Sequence, residues 1–495
     1  MSVNKARVFL EDILAHPDDD TPRLIFADWL EEEQGDSARA EFIRVQIERT
    51  RLPKWDARQV GLRLREKALI AQHGQKWKGE LPTIDGINWE EFRRGFMATA
   101  AFSDFVVLRE HANACWAATP LEAMSIRGPR RNEDIASIAP LAGLRELVIE
   151  NTRIDRHEVG QLADASLLST LRTLRISNCH LGAEGFRRLV ASPHLRNLTA
   201  LHTPLNSIGN GGISALFDAV ALNSLEELDL SETGSYGRTR SYGRYDRYRE
   251  DPVIEATDLA TLATWPGMAR LRVLTLSGHN VRRRGLRALL TSPHVGGLKE
   301  LTLRANGLDA QAMKEFGSAR PELQLDVLDL GDNLIGDIGA SDLAPASCLN
   351  ELKVLELDRC EIRLSGARWL IYAPFLGSLR RLNVNNNSFG PEGMYRLLEM
   401  KPSFLHTLLM VDNDLGDEGA AHLAESPASA GLLEVNLAHN GLRDQAAQAL
   451  RKSKHLKNLL ALWLHDNKIS KPAITALADS PLGKRLAVLD VRDRG

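Results

Sequence analysis

One pattern, L-x-x-L-x-L-x-x-N-x-L, recurs along this chain with a period of 27 residues. Its clearest copy is Leu298, Leu301, Leu303, Asn306 and Leu308. The opening leucines fall at 144, 171, 198, 225, 271, 298, 325, 352, 379, 405, 432, 459 and 486. Every gap is 27 except one of 26 and one of 46. Leucines at i, i+3 and i+5 put two side chains of a short strand, and the residue leading into it, on one buried face. A single unit cannot shield that face from water, so neighbours must stack on it. Each leucine buried in this way contributes roughly 1.5–3 kcal/mol. The chain is therefore constrained to a quasi-one-dimensional stack, an architecture that mostly serves binding.

The asparagine marks the point where each strand turns away. Its amide both donates and accepts, so it can satisfy backbone groups stranded between neighbouring turns. Asn206, Asn306, Asn333, Asn387, Asn413, Asn440 and Asn467 hold this rung, and Thr152, Cys179, Thr233, His279 and Cys360 replace it elsewhere. The second half of each unit reads as a helix. Leu181 to Leu189, Phe389 to Leu397 and Leu415 to Leu423 share a glycine-bearing turn, an acidic first turn that suits the helix dipole, and an apolar stripe. A strand plus a full helix in 27 residues resembles the ribonuclease-inhibitor-like class of leucine-rich repeats. That resemblance implies an α/β solenoid, a horseshoe with a parallel sheet inside and helices outside. About 13 to 14 repeats are expected over 117–495, the first of them, around Leu121, Met124 and Ile126, being short and degenerate.

Composition agrees with a soluble binding protein. The apolar fraction of 43% suffices for a long core, and a net charge of -3 gives the whole molecule no bulk affinity for nucleic acid or acidic membranes. No run approaches the roughly 20 apolar residues of a membrane span. The first residues lead into an amphipathic segment without the apolar stretch of a secretory leader. Cys115, Cys179, Cys348 and Cys360 are scattered without C-x-x-C spacing, so reduced thiols and a cytoplasmic location are expected.

Residues 1–116 follow another rule and predict a compact, mostly helical cap. Helices are expected over 5–15, from a Thr21 N-cap with Pro22 in the first turn, from Gly35-Asp36-Ser37 onward, and over 59–76. Phe92 to Ala100 reads as one short strand, followed by a helix from Ser103. The run Ile13 to Glu32, with Pro17, Thr21, Phe26, Ala27 and Trp29, then Gly35-Asp36 and Ala40 to Gln46, resembles the bacterial repeat-companion domain found in planctomycetes. Glu91-Phe92-Arg93-Arg94-Gly95-Phe96 is similar to the segment that follows it there. The resemblance implies architecture and source, and carries no biochemical activity.

The gap of 46 holds one period and 19 further residues, which alignment of the flanking repeats places at 234–252. This insertion holds Tyr236, Tyr242, Tyr245 and Tyr248 with Arg238, Arg240, Arg244, Arg247 and Arg249. Tyrosine and arginine are favoured at interface hot spots, and the same mixture stacks on single-stranded bases. A tolerated surface insertion would explain the segment equally simply. On the concave face the third, fifth, seventh and eighth positions of each repeat should point outward. They include Glu227, Asp229, Asp329, Glu356 and Asp358, opposed by Arg304, Arg359 and Arg381, with Trp463, His439 and His465 toward the end of the chain. The face reads as acidic, suited to a basic or mixed-charge protein. A generic solvated face is the alternative. Asp329 should then be dispensable for the fold, within about 0.5 kcal/mol.

Catalytic signatures are absent: there is no G-x-S-x-G, H-E-x-x-H or G-x-x-x-x-G-K-[ST]. His111 and Cys115, four apart, make at most half a metal site and are read as packing. Asp18, Asp19, Asp20 and Asp28 are read as helix caps and a solvated turn. The expectation is a non-enzymatic protein-interaction scaffold with no cofactor, no metal and no membrane contact. Two alternatives stand beside it: a nucleic-acid-associated protein using the basic insertion, and a regulator of a partner enzyme, of inhibitor or GTPase-activating type.

Overall fold

The computed structural model describes residues 2–127, 135–141, 143–232 and 254–492. It divides into two compact units, Met1–Lys54 with Gly61–Pro252, and Trp55–Val60 with Val253–Gly495.

In the first unit, helices α1 (Ser2–Ala15), α2 (Thr21–Glu32), α3 (Ser37–Arg51) and most of α4 (Arg58–Lys78) precede the sheet. Gly35, at φ 65°, turns the chain between α2 and α3, and Asp36 caps α3 by accepting from Arg39 N at 3.0 Å. At α2 the capping differs from expectation. The residue at the cap is Asp20, which makes no side-chain capping bond, while Asp19 Oδ1 accepts from Thr21 N at 2.8 Å. Ile13, Ala27, Trp29, Leu30, Ala40, Ile43, Ile47 and Phe96 form one core cluster, and Phe42, Leu69 and Trp77 another. The apolar residues of the 13–47 run are thus packing residues.

The segment expected as a single strand is instead three. β1 (Ile87–Trp89) is followed by β2 (Phe92–Arg93), β3 (Phe96–Met97) and β4 (Thr99–Phe102). Arg94 at φ 48° and Gly95 at φ 88° make a two-residue hairpin turn between β2 and β3. A Cβ on Gly95 would lie 2.2 Å from Ile43 Cγ1, so only glycine fits there. Helix α5 (Phe105–Ala118) starts from Asp104, which accepts from Val107 N at 2.9 Å.

From β4 the sheet is parallel and runs in chain order through β5 (Ala123–Ile126), β6 (Glu146–Glu150), β7 (Thr173–Ser177), β8 (Ala200–His202) and β9 (Glu227–Asp229), with β1 antiparallel on its edge. Leu147, Leu174, Leu201 and Leu228 stand side by side in its register.

The second unit repeats this rule without a break. Its strands β10 (Val273–Thr275), β11 (Glu300–Thr302), β12 (Val327–Asp329), β13 (Val354–Glu356), β14 (Arg381–Asn383), β15 (Thr407–Leu409), β16 (Glu434–Asn436), β17 (Ala461–Trp463) and β18 (Val488–Asp490) pair parallel in chain order. Leu274, Leu301, Leu328 and Leu355 form one ladder, each fully buried.

The rung asparagines join neighbouring repeats as their chemistry predicts. Asn333 Oδ1 accepts from Asn306 N and Leu308 N, both at 3.0 Å, and its Nδ2 donates to Leu303 O at 2.9 Å. Asn206, Asn387, Asn413 and Asn440 make the same kind of bridge. Where cysteine holds the rung, its thiol donates backward: Cys360 Sγ to Leu330 O at 3.3 Å and Cys179 Sγ to Ile149 O at 3.5 Å. All four cysteines are free and buried, and burial pushes the Cys115, Cys179 and Cys348 thiols up to about 11.

The residue before most of the rungs is left-handed. Asn151, Asn178, Leu205, Ala305, Asp332, Arg359, Asn386, Asp412, His439 and Asp466 all have φ between 52° and 59°. That conformation is unfavourable for residues other than glycine. The bridging side chain beside it holds the turn in place.

Candidate interaction surface

The strand face is built by the third, fifth, seventh and eighth positions of each repeat, and its charges are arranged differently in different stretches. In the first unit they are largely absorbed by local structure. Asp229 is buried, its Oδ1 accepting from Ser231 Oγ at 2.6 Å and Ser231 N at 3.0 Å. Glu232 is also buried and accepts from Ser207 N at 2.8 Å. Glu227 lies 3.5 Å from His202 Nε2, which holds its carboxyl below the usual carboxylate range. Glu146 accepts from Arg93 Nη1 at 2.9 Å.

In the second unit the carboxylates of the central repeats are joined into one network. Arg304 Nη1 donates to Asp329 Oδ1 at 3.0 Å and to Asp358 Oδ1 at 2.8 Å, and Nη2 lies 3.1 Å from Asp332 Oδ2. Arg359 bonds Asp332 at 2.9 Å and lies 3.0 Å from Asp358, while Arg381 holds Glu356 at 2.7 Å. Arg304 reaches Asp358, two repeats on, because Gly331 occupies the same position in the repeat between. A Cβ on Gly331 would lie 2.0 Å from Arg304 Nη1. Burial pushes the Asp329 carboxyl up to about 6 against the pull of Arg304, and raises Asp358 for the same reason.

The acidic strip read from the sequence is therefore a neutralised one over these repeats. Asp329 is a network member: besides its contact with Arg304 it accepts from Gly331 N at 2.9 Å.

Toward the end of the chain the face changes character. Along one row of the sheet Leu409, Asn436, Trp463 and Asp490 are neighbours in register. Leu409 and Trp463 are half-buried, and Asp412 is exposed. His465 stands 3.9 Å from Asp466 and 3.8 Å from Asp490, which also accepts from Arg492 Nε at 3.0 Å.

Tyr236, Arg238, Arg240, Tyr242, Arg244, Tyr245, Arg247, Tyr248 and Arg249 all lie outside the described residues. Among the described residues no group of three or more His, Cys, Asp or Glu is arranged to hold a metal ion, and no helix is long and apolar enough to cross a membrane.

Charges of the N-terminal segment do more than the expected capping. Asp18 lies 3.5 Å from Arg145 Nη2 and 3.3 Å from Arg172 Nη2, and Asp20 accepts from Arg51 Nη2 at 2.8 Å. Arg94 pairs with Glu122, and the fully buried Arg23 lies 3.7 Å from the same carboxylate. Burial lowers the Arg23 guanidinium to about 10. Asp28 pairs with Arg44 at 2.7 Å. The Asp18-Asp19-Asp20 turn thus contributes to packing α2 against the first strands of its unit. Arg145 and Arg172 lie more than a hundred residues from Asp18 in sequence, so no local pattern points to them.

A sequence profile of the family described as "Leucine Rich repeat" matches residues 168–189, 378–398 and 401–424. A ribonuclease inhibitor of Sus scrofa is 29% identical over 336 residues, covering 65% of this chain and 64% of that protein. One of Mus musculus is 28% identical over 290 residues, covering 54% and 57%. The chain thus spans somewhat under two thirds of the length of these relatives. Among solved structures, a chain of the yeast Rad7 and Elc1 complex aligns at 17% identity with a TM-score of 0.45, covering 70% of this chain and 80% of that one. The protein is an α/β solenoid of leucine-rich repeats, similar to ribonuclease inhibitors.

Proposed function

We propose that this protein is a non-enzymatic scaffold that binds a protein partner through the strand face of its second unit. The observation that carries this reading is the contrast along that face. Over the central repeats Arg304, Arg359 and Arg381 hold the carboxylates in a closed network. Around Trp463 the row instead offers an aromatic ring and Leu409, with Asp412 exposed just beyond the strand of Leu409. A half-buried tryptophan beside carboxylates suits a partner with an arginine or lysine flanked by apolar surface, a mixed-charge or basic protein. The likeness to ribonuclease inhibitors supports a narrower form, in which the partner is an enzyme held in check. The Tyr/Arg insertion at 234–252 is assigned to the same work as a second contact. Its composition also supports a nucleic-acid partner as the alternative.

The test uses the full-length chain as bait, with bound proteins identified by mass spectrometry. Trp463→Ala should lose a specific partner at an unchanged melting temperature, and deletion of 234–252 should weaken the same one. If Trp463→Ala and the deletion both retain every partner at full strength, the reading is wrong. Loss of capture on nuclease treatment would favour the nucleic-acid alternative.

A further inference from the structure

The outer, helical side of the second unit carries aromatic side chains that its core does not require. In the helix Leu364–Ile371 the buried residues are Gly366, Ala367, Leu370 and Ile371. Trp369 and Tyr372 are turned out, 57% and 58% exposed. On the next helix, Gly390–Glu399, Tyr395 is 40% exposed, and Met400 just beyond it 42%. The ring of Tyr395 lies 5.1 Å from that of His422 on the following helix, Gly416–Glu425. Trp369 is the one exposed tryptophan of eight, the other seven being buried or half-buried. Tyr372 and Tyr395 are the chain's only tyrosines outside the 234–252 segment.

The charges on these helix faces are unbalanced. Asp342, Glu392, Glu399, Glu418 and Glu425 stand against Arg368 and Arg396. Arg396 is held by Glu392 at 2.8 Å and Glu399 at 2.9 Å, and lies 5.3 Å from the Tyr395 ring centroid. Asp342 Oδ2 is buried with no hydrogen-bond partner. The patch is thus aromatic and acidic, and one arginine of its own already lies against a tyrosine ring.

Its size limits what can cover it. The exposed parts of Trp369, Tyr372, Tyr395 and Met400 present roughly 400 Å². That is about half of the roughly 800 Å² per partner of a stable interface between two globular surfaces. A single extended segment fits better than a rigid second body. The chemistry that fits is arginine, whose planar guanidinium stacks on aromatic faces while pairing with carboxylates.

We propose that, in chains with no partner on that segment, this outer face docks the arginine- and tyrosine-rich segment 234–252 of a second copy of the chain. The segment holds five arginines and four tyrosines against Asp246, Glu250 and Asp251. Its net positive charge complements the negative patch. Segment and patch are different parts of one chain, so such a contact is heterologous and joins copies head to tail.

Sedimentation velocity of the full-length protein should show concentration-dependent self-association that weakens with salt. A synthetic peptide of residues 234–252 should compete it away. Trp369→Ala with Tyr395→Ala in the full-length chain should weaken fluorescein-labelled peptide binding by roughly ten-fold or more, since aromatic anchors dominate such contacts. A peptide with its five arginines replaced by glutamine should fail on the wild-type protein, a control independent of how the variant folds. Trp463→Ala should change none of this, which separates the outer face from the strand face. A chain that stays monomeric up to about 100 µM, or a peptide that binds the variant as well as the wild type, would overturn the proposal.

Discussion

Asn333→Ala tests the physical basis of the stack more directly than any leucine truncation. Asn333 is 2% exposed and makes five bonds: it accepts from Asn306 N and Leu308 N at 3.0 Å, and donates to Leu303 O, Leu330 O and Gly331 O at 2.9, 2.8 and 3.2 Å. Alanine would orphan two buried N–H groups and remove the donor to Leu303 O. Each buried group left without a partner costs roughly 1–3 kcal/mol, so the loss should be about 3–5 kcal/mol. That rivals the roughly 2–5 kcal/mol of a buried Leu328→Ala cavity, although far less apolar surface is removed. Asn333→Cys should lose about half as much, because cysteine already fills this rung at Cys360 and Cys179, its thiol donating to a carbonyl of the preceding repeat. Urea unfolding followed by both circular dichroism and tryptophan fluorescence gives the values and shows whether the transition stays cooperative, which long repeat arrays need not do. An alanine variant within about 1 kcal/mol of wild type, or a cysteine variant as damaged as alanine, would refute the bridging role.

Two further outcomes follow from particular positions. Gly95→Ala should cost roughly 2–4 kcal/mol, combining overpacking against Ile43 with left-handed strain. Gly307→Ala, at φ 62° with nothing within 4 Å, should cost only the strain, about 1–2 kcal/mol, and thermal melts showing the reverse order would contradict this account. The Asp329 carboxyl should titrate near 6 by carbon-13 NMR rather than at its ordinary 3.8, and Arg304→Gln should move it higher still. Since its folded value lies above its unfolded one, the folded state binds the extra proton between them. Its contribution to stability is therefore full below about 3.8 and lost as pH rises through about 6, and Asp329→Asn should flatten that slope.

The leucine ladder and the asparagine rungs were readable from sequence because both obey a period that the strand pleat enforces. Leu274, Leu301 and Leu328 must align once the repeats stack in register. The hairpin at 92–97 was not readable, because Phe92 to Ala100 has the alternation of one strand and only the left-handed Arg94-Gly95 pair divides it. Nor was the pairing of Asp18 with Arg145 and Arg172, which depends on how a helical segment meets a sheet edge. The outward Trp369 and Tyr372 were latent in the pattern. Once Gly366, Ala367, Leu370 and Ile371 are taken as the inward stripe, the helical period leaves both outside.

The charges of the strand face show why a column of residues says more here than a count. Counting gives a surplus of carboxylates over arginines and suggests a trough open to a basic partner. Position within the repeat changes that conclusion. Arg304 and Asp358 occupy the same position two periods apart, and the residue between them in that column is Gly331. A side chain there would stop the guanidinium, whereas its absence lets one arginine serve Asp329, Asp332 and Asp358 together. With those carboxylates held, the central repeats have little charge left to offer a partner. On the proposed reading, contact is left to the repeats around Trp463 along the stack and to the outer aromatic face across it.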